Sequence, residues 1–86
     1  MKLTKEDKKL LKDWGYPDED LAQIERATTK TIYLVNDEKI SRDKAIEILG
    51  RETYLNGLSR SAFHWNCGRE NTNGVYVHFD SSKLFE

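Results

Sequence analysis

Disulfide-forming cysteines, long apolar runs and an excess of either charge are all missing from this 86-residue sequence. Its single cysteine, Cys67, cannot form a disulfide within the chain, and a small domain without disulfides is typical of a reducing compartment. The longest apolar run, Ile32-Tyr33-Leu34-Val35, is far too short to cross a membrane, and the N-terminal residues lack the apolar stretch of a signal peptide. We therefore expect a cytoplasmic protein that does not engage a membrane.

The charges are balanced, since fourteen lysines and arginines face fifteen aspartates and glutamates and leave a net charge of −1. No overall field would steer such a chain onto nucleic acid, so a nucleic-acid role requires a local basic patch. With 37% hydrophobic and 34% charged residues, the chain is too apolar to be disordered. Its length suits a single domain over residues 1–86, with a modest core and little room for a deep substrate cavity.

Two helices are predicted in residues 1–30, which form an N-terminal helical part. Thr4 followed three residues later by Asp7 has the spacing of a capping box, and apolar positions follow it. Pro17 suits the first turn of the second helix because its missing N–H is not needed there. Acidic residues next to Pro17 complement the positive end of that helix.

Residues 31–86 are predicted to contain a strand, two further helices and a hairpin. Ser41 is a good cap for the third helix, which Gly50 ends. The fourth helix begins near Arg51 and includes Gly57, which costs roughly 1 kcal/mol relative to alanine in a helix interior. That cost indicates either a weaker helix or a close approach by another backbone.

Three segments have the pattern of strands. Residues 31–35 are rich in β-branched and aromatic residues, and a polar turn is expected at 36–39. Residues 62–67 alternate with a period of two, although they could also continue the fourth helix, and 75–79 alternate clearly after turn-type residues at 68–74. We expect an α+β domain with about four helices and a three-stranded antiparallel sheet. The order of its last six elements matches that of a winged helix-turn-helix.

Metal and catalytic centres are poorly supported by the sequence. His64, Cys67, His78 and Asp80 could approach one another, but structural zinc sites usually take four well-spaced ligands, often in two pairs. His78 could reach Cys67 across a hairpin as a nucleophilic pair, yet no oxyanion-hole motif or nucleophile elbow accompanies it. Glycine loops that bind phosphate are absent. We expect no metal, no cofactor and no enzymatic activity.

In a winged topology, the polar residues of the fourth helix and of the hairpin tip would face a DNA groove. These residues are Arg51, Thr53, Asn56, Ser59 and Arg60 on the helix, with Arg69, Asn71 and Asn73 on the wing. Arginine and asparagine are the side chains that recognise guanine and adenine edges. However, three arginines and two glutamates between residues 51 and 70 leave a net charge of only +1, which offers few phosphate contacts.

A second interpretation of the same region is a protein-binding patch. Trp65, Tyr76 and His78, together with Arg60 and Arg69, include the residue types most enriched in interface hot spots. The aromatic residues could equally build the core of so small a domain. The complete set of predicted binding residues is Arg51, Asn56, Arg60, His64, Trp65, Arg69, Tyr76 and His78.

The run from Ile40 to Glu52, ISRDKAIEILGRE, and the run from Gly57 to Trp65, GLSRSAFHW, resemble small uncharacterised proteins carried by phages and prophages of Firmicutes. The resemblance implies an accessory phage gene product. Many such products, anti-CRISPR proteins among them, are small non-enzymatic binders, and helix-turn-helix regulators are the competing class. The chain lacks the strong acidic excess of inhibitors that mimic DNA.

The leading expectation is therefore a non-enzymatic, phage-type binding protein that engages a host protein or a protein–nucleic-acid complex, with inhibition of bacterial defence as one such role. The alternative is a winged helix-turn-helix regulator that binds DNA. A reactive pair of His78 and Cys67 is the third and least supported hypothesis.

Overall fold

The computed structural model describes residues 3–64 and 68–86, which form four α-helices and one four-stranded antiparallel sheet. The helices are α1 (Lys5–Asp13), α2 (Asp18–Lys30), α3 (Arg42–Leu49) and α4 (Arg51–Ser61). The strands are β1 (Ile32–Val35), β2 (Glu38–Ile40), β3 (Gly68–Thr72) and β4 (Val75–Asp80), and a 3₁₀ helix spans Ser82–Phe85. The predicted α+β class is confirmed, whereas the expected number of three strands is wrong.

The helix starts follow from the capping residues in the sequence. The Thr4 hydroxyl accepts from the Asp7 backbone N–H at 3.1 Å, while the Asp7 carboxylate accepts from the Thr4 N–H at 3.0 Å. This reciprocal pair is the predicted capping box. The Ser41 hydroxyl accepts from the Lys44 N–H at the start of α3. The predicted starts of α1 and α3 are therefore confirmed.

The polar turn after β1 is shorter than the sequence pattern indicated. Only Asn36 and Asp37 form it, with positive φ values of 51° and 66°. Both residue types tolerate that conformation, and two-residue turns of this kind match the twist of paired strands. The expectation that Glu38 and Lys39 belong to the turn is wrong, because they lie in β2 and pair with β1.

The predicted strand over residues 62–67 is also wrong where the structure describes it. Ala62 is the C-cap of α4, and its backbone N–H donates to the helix carbonyls instead of pairing in a sheet. Phe63 lies in the turn that follows. Ala62 is buried and Phe63 packs against the core at the end of the helix, and residues 65–67 lie outside the described residues.

The first strand of the predicted hairpin therefore lies further along the chain. Residues 68–72, expected to be a turn, form β3 and pair with β4 from Gly68 opposite Phe79 to Thr72 opposite Val75. Asn73 and Gly74 alone make the turn, with positive φ values of 49° and 83°. The hairpin exists, but its turn takes two residues instead of seven.

The sheet has the strand order β2-β1-β4-β3, and one of its faces packs on the helices. Tyr33 from β1 and Val77 and Phe79 from β4 point to that side and are fully or almost fully buried. Helix α4 contacts all three other helices as well as β3 and β4. It is the central element of the core, to which it contributes Tyr54, Leu55 and Leu58.

Gly57 brings α4 close to the sheet. A methyl group added at Gly57 would lie 2.7 and 2.8 Å from atoms of the Phe79 ring and 2.9 Å from the Glu70 side chain. The sequence indicated either a weaker helix or a close approach by another backbone at this position; the helix is continuous, and the groups that approach it are side chains. The ring of Phe79 is fully buried and packs edge-on against Tyr33 at 5.4 Å, so it has little space to move.

We expect Gly57→Ala to lower the free energy of unfolding by about 1–2 kcal/mol. Alanine ordinarily stabilises a helix interior by about 1 kcal/mol, but the overpacked contact with Phe79 costs more than that. The matched control is Thr53→Ala on the same helix, which gains helix propensity without approaching Phe79. Urea denaturation at neutral pH measures both variants, and a stabilising effect of Gly57→Ala would contradict the packing described here.

The opposite side of the sheet, which we call the outer face, stays open to solvent. Side chains alternate along a strand, so residues next to the buried positions point away from the helices. The outer face consists of exposed or half-buried side chains: Ile32, Leu34, Lys39, Arg69, Asn71, Tyr76, His78 and Asp80. Three of the predicted binding residues lie in this set.

Candidate functional site

One row of side chains crosses the whole outer face. Leu34 pairs with Lys39 on one side and with His78 on the other, and His78 pairs with Arg69. Directly opposed residues in antiparallel strands share a face, so these four side chains line up across four strands. Three spacings between neighbouring strands place the ends of the row roughly 14 Å apart. The row has a cation at each end.

A depression of about 240 Å³ lies beside this row, between the β1–β2 turn and strand β4. Tyr76 forms part of its wall and is 58% exposed, more than the other large apolar side chains of the described residues. The remaining wall residues are Leu34, Asn36, Asp37, Arg69 and His78. Arg69, Tyr76 and His78, which the sequence singled out separately, are thus brought together.

The depression and the part of the outer face around it have mixed charge. Arg69 and Lys39 are exposed cations, while Asp37 contributes an exposed carboxylate from the turn. Asp80 lies two residues beyond His78, and its carboxylate accepts a hydrogen bond from the Ser82 backbone N–H at 3.0 Å. That bond, more than any other interaction, lowers the pKa of Asp80, so this carboxylate is ionised at neutral pH. The site therefore offers cations at its edges and carboxylates at two defined points.

The size of the depression restricts what it can enclose. Small-molecule pockets usually enclose about 300–1,000 Å³, so this open depression accommodates one side chain or one base of a larger partner. Within residues 3–64 and 68–86, no group of three or more His, Cys, Asp or Glu side chains is placed to hold a metal ion. Of the residues considered for such a site, Cys67 lies outside the described residues.

Arg51, the first predicted groove-facing residue, is held by an internal ion pair. Its guanidinium donates to both carboxylate oxygens of Asp7, at 2.6 and 2.7 Å, and the Asp7 side chain is fully buried. Burial would raise the pKa of Asp7, but hydrogen bonds from Arg51 and Thr4 outweigh it and the pKa is lowered. The pair joins α1 to α4 and leaves Arg51 a structural residue.

Asn56 and Arg60 are likewise bound to a carboxylate. Both donate to Glu70 of strand β3, Asn56 at 3.0 Å, and Glu70 is mostly buried. Arg60 also donates to the backbone carbonyl of Arg69 at 3.2 Å, which occupies an acceptor of this edge strand. These bonds anchor β3 to α4. The two side chains are not brought together with Tyr76 or His78.

The other predicted binding residues lie near the gap in the described chain. His64 is exposed and follows α4, with its backbone N–H bonded to the Arg60 carbonyl at 2.8 Å. Trp65 lies outside the described residues, as does the suggested pair of Cys67 with His78. The structure therefore gives no geometry for either prediction.

Four residues beside the site were not singled out by the sequence. They are Leu34, Lys39, Asn36 and Asp37, which come from β1, β2 and the turn between them. An Asn-Asp pair between a β-branched strand and a short charged segment is a signal for a tight hairpin. Recognising that turn would have placed Lys39 in a strand opposite Leu34.

We expect Arg51→Ala to lower the free energy of unfolding by about 3 kcal/mol at pH 7. The change leaves the buried carboxylate of Asp7 without its charged partner, which is more costly than losing both groups. This loss of about 3 kcal/mol is at the low end of what breaking a buried ion pair costs, because the Arg51 side chain is itself partly exposed. Chemical denaturation provides the measurement, with Arg26→Ala on the exposed surface of α2 as the matched control.

The same variant tests the pH dependence of this pair. Asp7 titrates near 3.8 when unfolded and below that value when folded, so the pair stabilises the fold above about pH 4. This stabilisation is lost as the pH falls through the folded pKa. The difference between wild type and Arg51→Ala should therefore shrink as the pH falls from 7 towards 2, because protonation first removes the unpaired charge in the variant and only later breaks the ion pair in the wild type. A difference that stays constant down to pH 2 would contradict the ion pair.

Comparison with family models, curated proteins and solved structures finds no match for this chain. No helix among the described residues combines the length and apolar character needed to cross a bilayer. Functional inference therefore depends on the residues of the outer face and on the contacts that hold α4.

Proposed function

We propose that this chain is a non-enzymatic binding protein that engages a protein or a protein–nucleic-acid complex through the outer face of its sheet. The observation that carries the proposal is the shared position of Arg69, Tyr76 and His78 on one solvent-open depression. Within the described residues, neither Arg69 nor Tyr76 uses its side chain in a hydrogen bond or an ion pair. Their exposure is thus unexplained by the packing of the fold.

The residue types of this site support a macromolecular partner. Tyrosine and arginine side chains are enriched in interface hot spots. Tyrosine buries much area for little lost entropy, and arginine supplies several hydrogen-bond donors on one planar group. The depression is too open to exclude water from a reacting group. A binding role therefore fits these side chains better than catalysis does.

The biological setting that we propose comes from the resemblance to phage and prophage proteins. The stretches 40–52 and 57–65, which carry it, lie mostly in α3 and α4. A phage-encoded binder of this size would act on a host macromolecule, and interference with bacterial defence is the role that we favour. The outer face would then be the surface that meets the host target.

We expect Tyr76→Ala and Arg69→Ala each to weaken capture of the partner from a bacterial lysate by at least thirtyfold. This corresponds to the roughly 2 kcal/mol that defines an interface hot spot. Phe85→Ala and Arg26→Ala are the matched controls, since they remove an exposed aromatic and an exposed cation elsewhere on the surface. Quantitative pull-down measures retention, and circular dichroism shows that each variant is folded.

Equal retention by the outer-face variants and by the two controls would refute the proposed site. Retention of no specific macromolecule by the wild-type chain would refute the proposed function itself.

A winged helix-turn-helix regulator is the second candidate function. Helices α3 and α4 are followed by the hairpin β3–β4, and the strand order β1-β4-β3 within the sheet suits a wing. Arg51, Asn56 and Arg60 are nevertheless bound to carboxylates, which weakens the case for a groove-facing α4.

If α4 lies in a DNA groove, Asn56→Ala and Arg60→Ala should each weaken duplex binding, and the affinity should fall steeply with salt. Each lost base contact costs about 1–3 kcal/mol, which is at least fivefold in affinity. Fluorescence anisotropy with a labelled duplex measures this, with Lys9→Ala on α1 as the control. Unchanged affinity in the α4 variants would remove this candidate.

A further inference from the structure

The size of the outer face restricts what can cover it. Four strands spaced about 4.8 Å apart, each at most six residues long, give a face of roughly 15 by 20 Å. A stable interface between globular proteins buries about 800 Å² on each partner, which is more than twice that area. The face therefore fits a single extended strand of a linear polymer better than it fits the surface of a folded domain.

The aromatic rings on β4 indicate that the extended polymer is a nucleic acid and not a peptide. Tyr76 and His78 are alternate residues of one strand, so their rings project from the same face roughly 7 Å apart. Extended peptides gain affinity from main-chain hydrogen bonds along a sheet edge, and a sheet face offers them few. Bases of a single strand need no such edge, because they stack on flat side chains such as tyrosine and histidine.

Cations lie on both sides of these rings, within reach of a sugar–phosphate backbone, while the ionised Asp80 lies two residues beyond His78 on β4. Arg69 lies directly opposite His78, and Lys39 lies at the far end of the same row. Two bases stacked on Tyr76 and His78 follow β4. The phosphates beside them can therefore be reached by Arg69 from the β3 side and by the long side chain of Lys39 from the β2 side. Asn71, opposite Tyr76, adds an amide beside the base edge.

The exposed carboxylate of Asp37 favours RNA over DNA as the strand that would lie on this face. It lies in the wall of the depression beside Tyr76, where a negative charge would repel a phosphate. A ribose 2′-hydroxyl, in contrast, can donate a hydrogen bond to it, and this hydroxyl is the group by which proteins distinguish RNA from DNA.

Resting on the function proposed above, we propose that the outer face binds single-stranded RNA. Tyr76 and His78 stack on two bases, Arg69 and Lys39 contact phosphates, and Asp37 accepts from a 2′-hydroxyl. If the target is a protein–nucleic-acid complex, this chain binds the RNA strand of that complex.

Fluorescence anisotropy with a labelled oligouridine tests this on the intact chain. We expect Tyr76→Ala to weaken binding by at least fivefold and up to about a hundredfold, the range for losing one stacked base, while Tyr76→Phe retains binding. The logarithm of the binding constant should fall with that of salt with a slope of about −1.4 for two phosphate contacts. Arg69→Ala and Lys39→Ala should each reduce that slope by about 0.7.

Asp37→Gly provides the test of RNA selectivity, because glycine keeps the positive φ of this turn position. We expect the wild type to prefer the oligouridine over the deoxyuridine strand of equal length, and the variant to lose that preference. Equal affinity of the wild type for both strands would overturn the role of Asp37 and the preference for RNA, because the outer face would then bind single strands of either kind. No binding to either strand at low salt would overturn the proposal as a whole.

Nuclease treatment separates failure of this proposal from failure of the proposed function. Loss of the Tyr76-dependent capture after digestion of RNA in the lysate supports RNA as the ligand. Capture that survives digestion, together with no binding to the oligouridine, shows that the outer face contacts protein. In that outcome the RNA proposal is wrong, while the binding function stands.

Discussion

The close contact between Gly57 and the ring of Phe79 sets the position of α4 on the sheet, and the rest of the molecule is arranged around it. Phe79 packs against Tyr33 and Tyr54, whose hydroxyls share a hydrogen bond of 2.8 Å. Burial raises the pKa of both tyrosines, so each keeps its proton. A polar link therefore joins strand and helix inside an apolar core without leaving a buried charge.

The central position of α4 has a consequence for its polar side chains. A helix that contacts every other helix and two strands has little surface left for a partner, and its exposed arginines lie within reach of acidic neighbours. Asp7 and Glu70 are the largely buried carboxylates that engage them, and a buried carboxylate needs a partner. The arginines that suggested a groove-binding helix are therefore already engaged in ion pairs with these carboxylates.

The sequence predicted the elements whose signals are local and missed those that depend on pairing. Thr4 and Ser41 cap α1 and α3 through bonds to residues three positions later, so these starts can be recognised without tertiary structure. Strands β2 and β3 are polar edge strands, and residues such as Glu38 and Asn71 have no strand propensity of their own. They are strands because the neighbouring strand supplies hydrogen bonds, and charged residues suit an exposed edge.

The same difference explains how much of the site could be predicted. Tyr76, His78 and Arg69 were identified by residue type, but their alignment with Leu34 and Lys39 depends on registers that no local pattern specifies. Two tight turns fix the registers of β2 against β1 and of β3 against β4, whereas β1 and β4 pair without a turn between them. Had either turn been longer by one residue, its outer strand would have turned its side chains over, and Lys39 or Arg69 would point at the helices. The chemistry of the outer face is therefore a product of turn length as much as of the residues themselves.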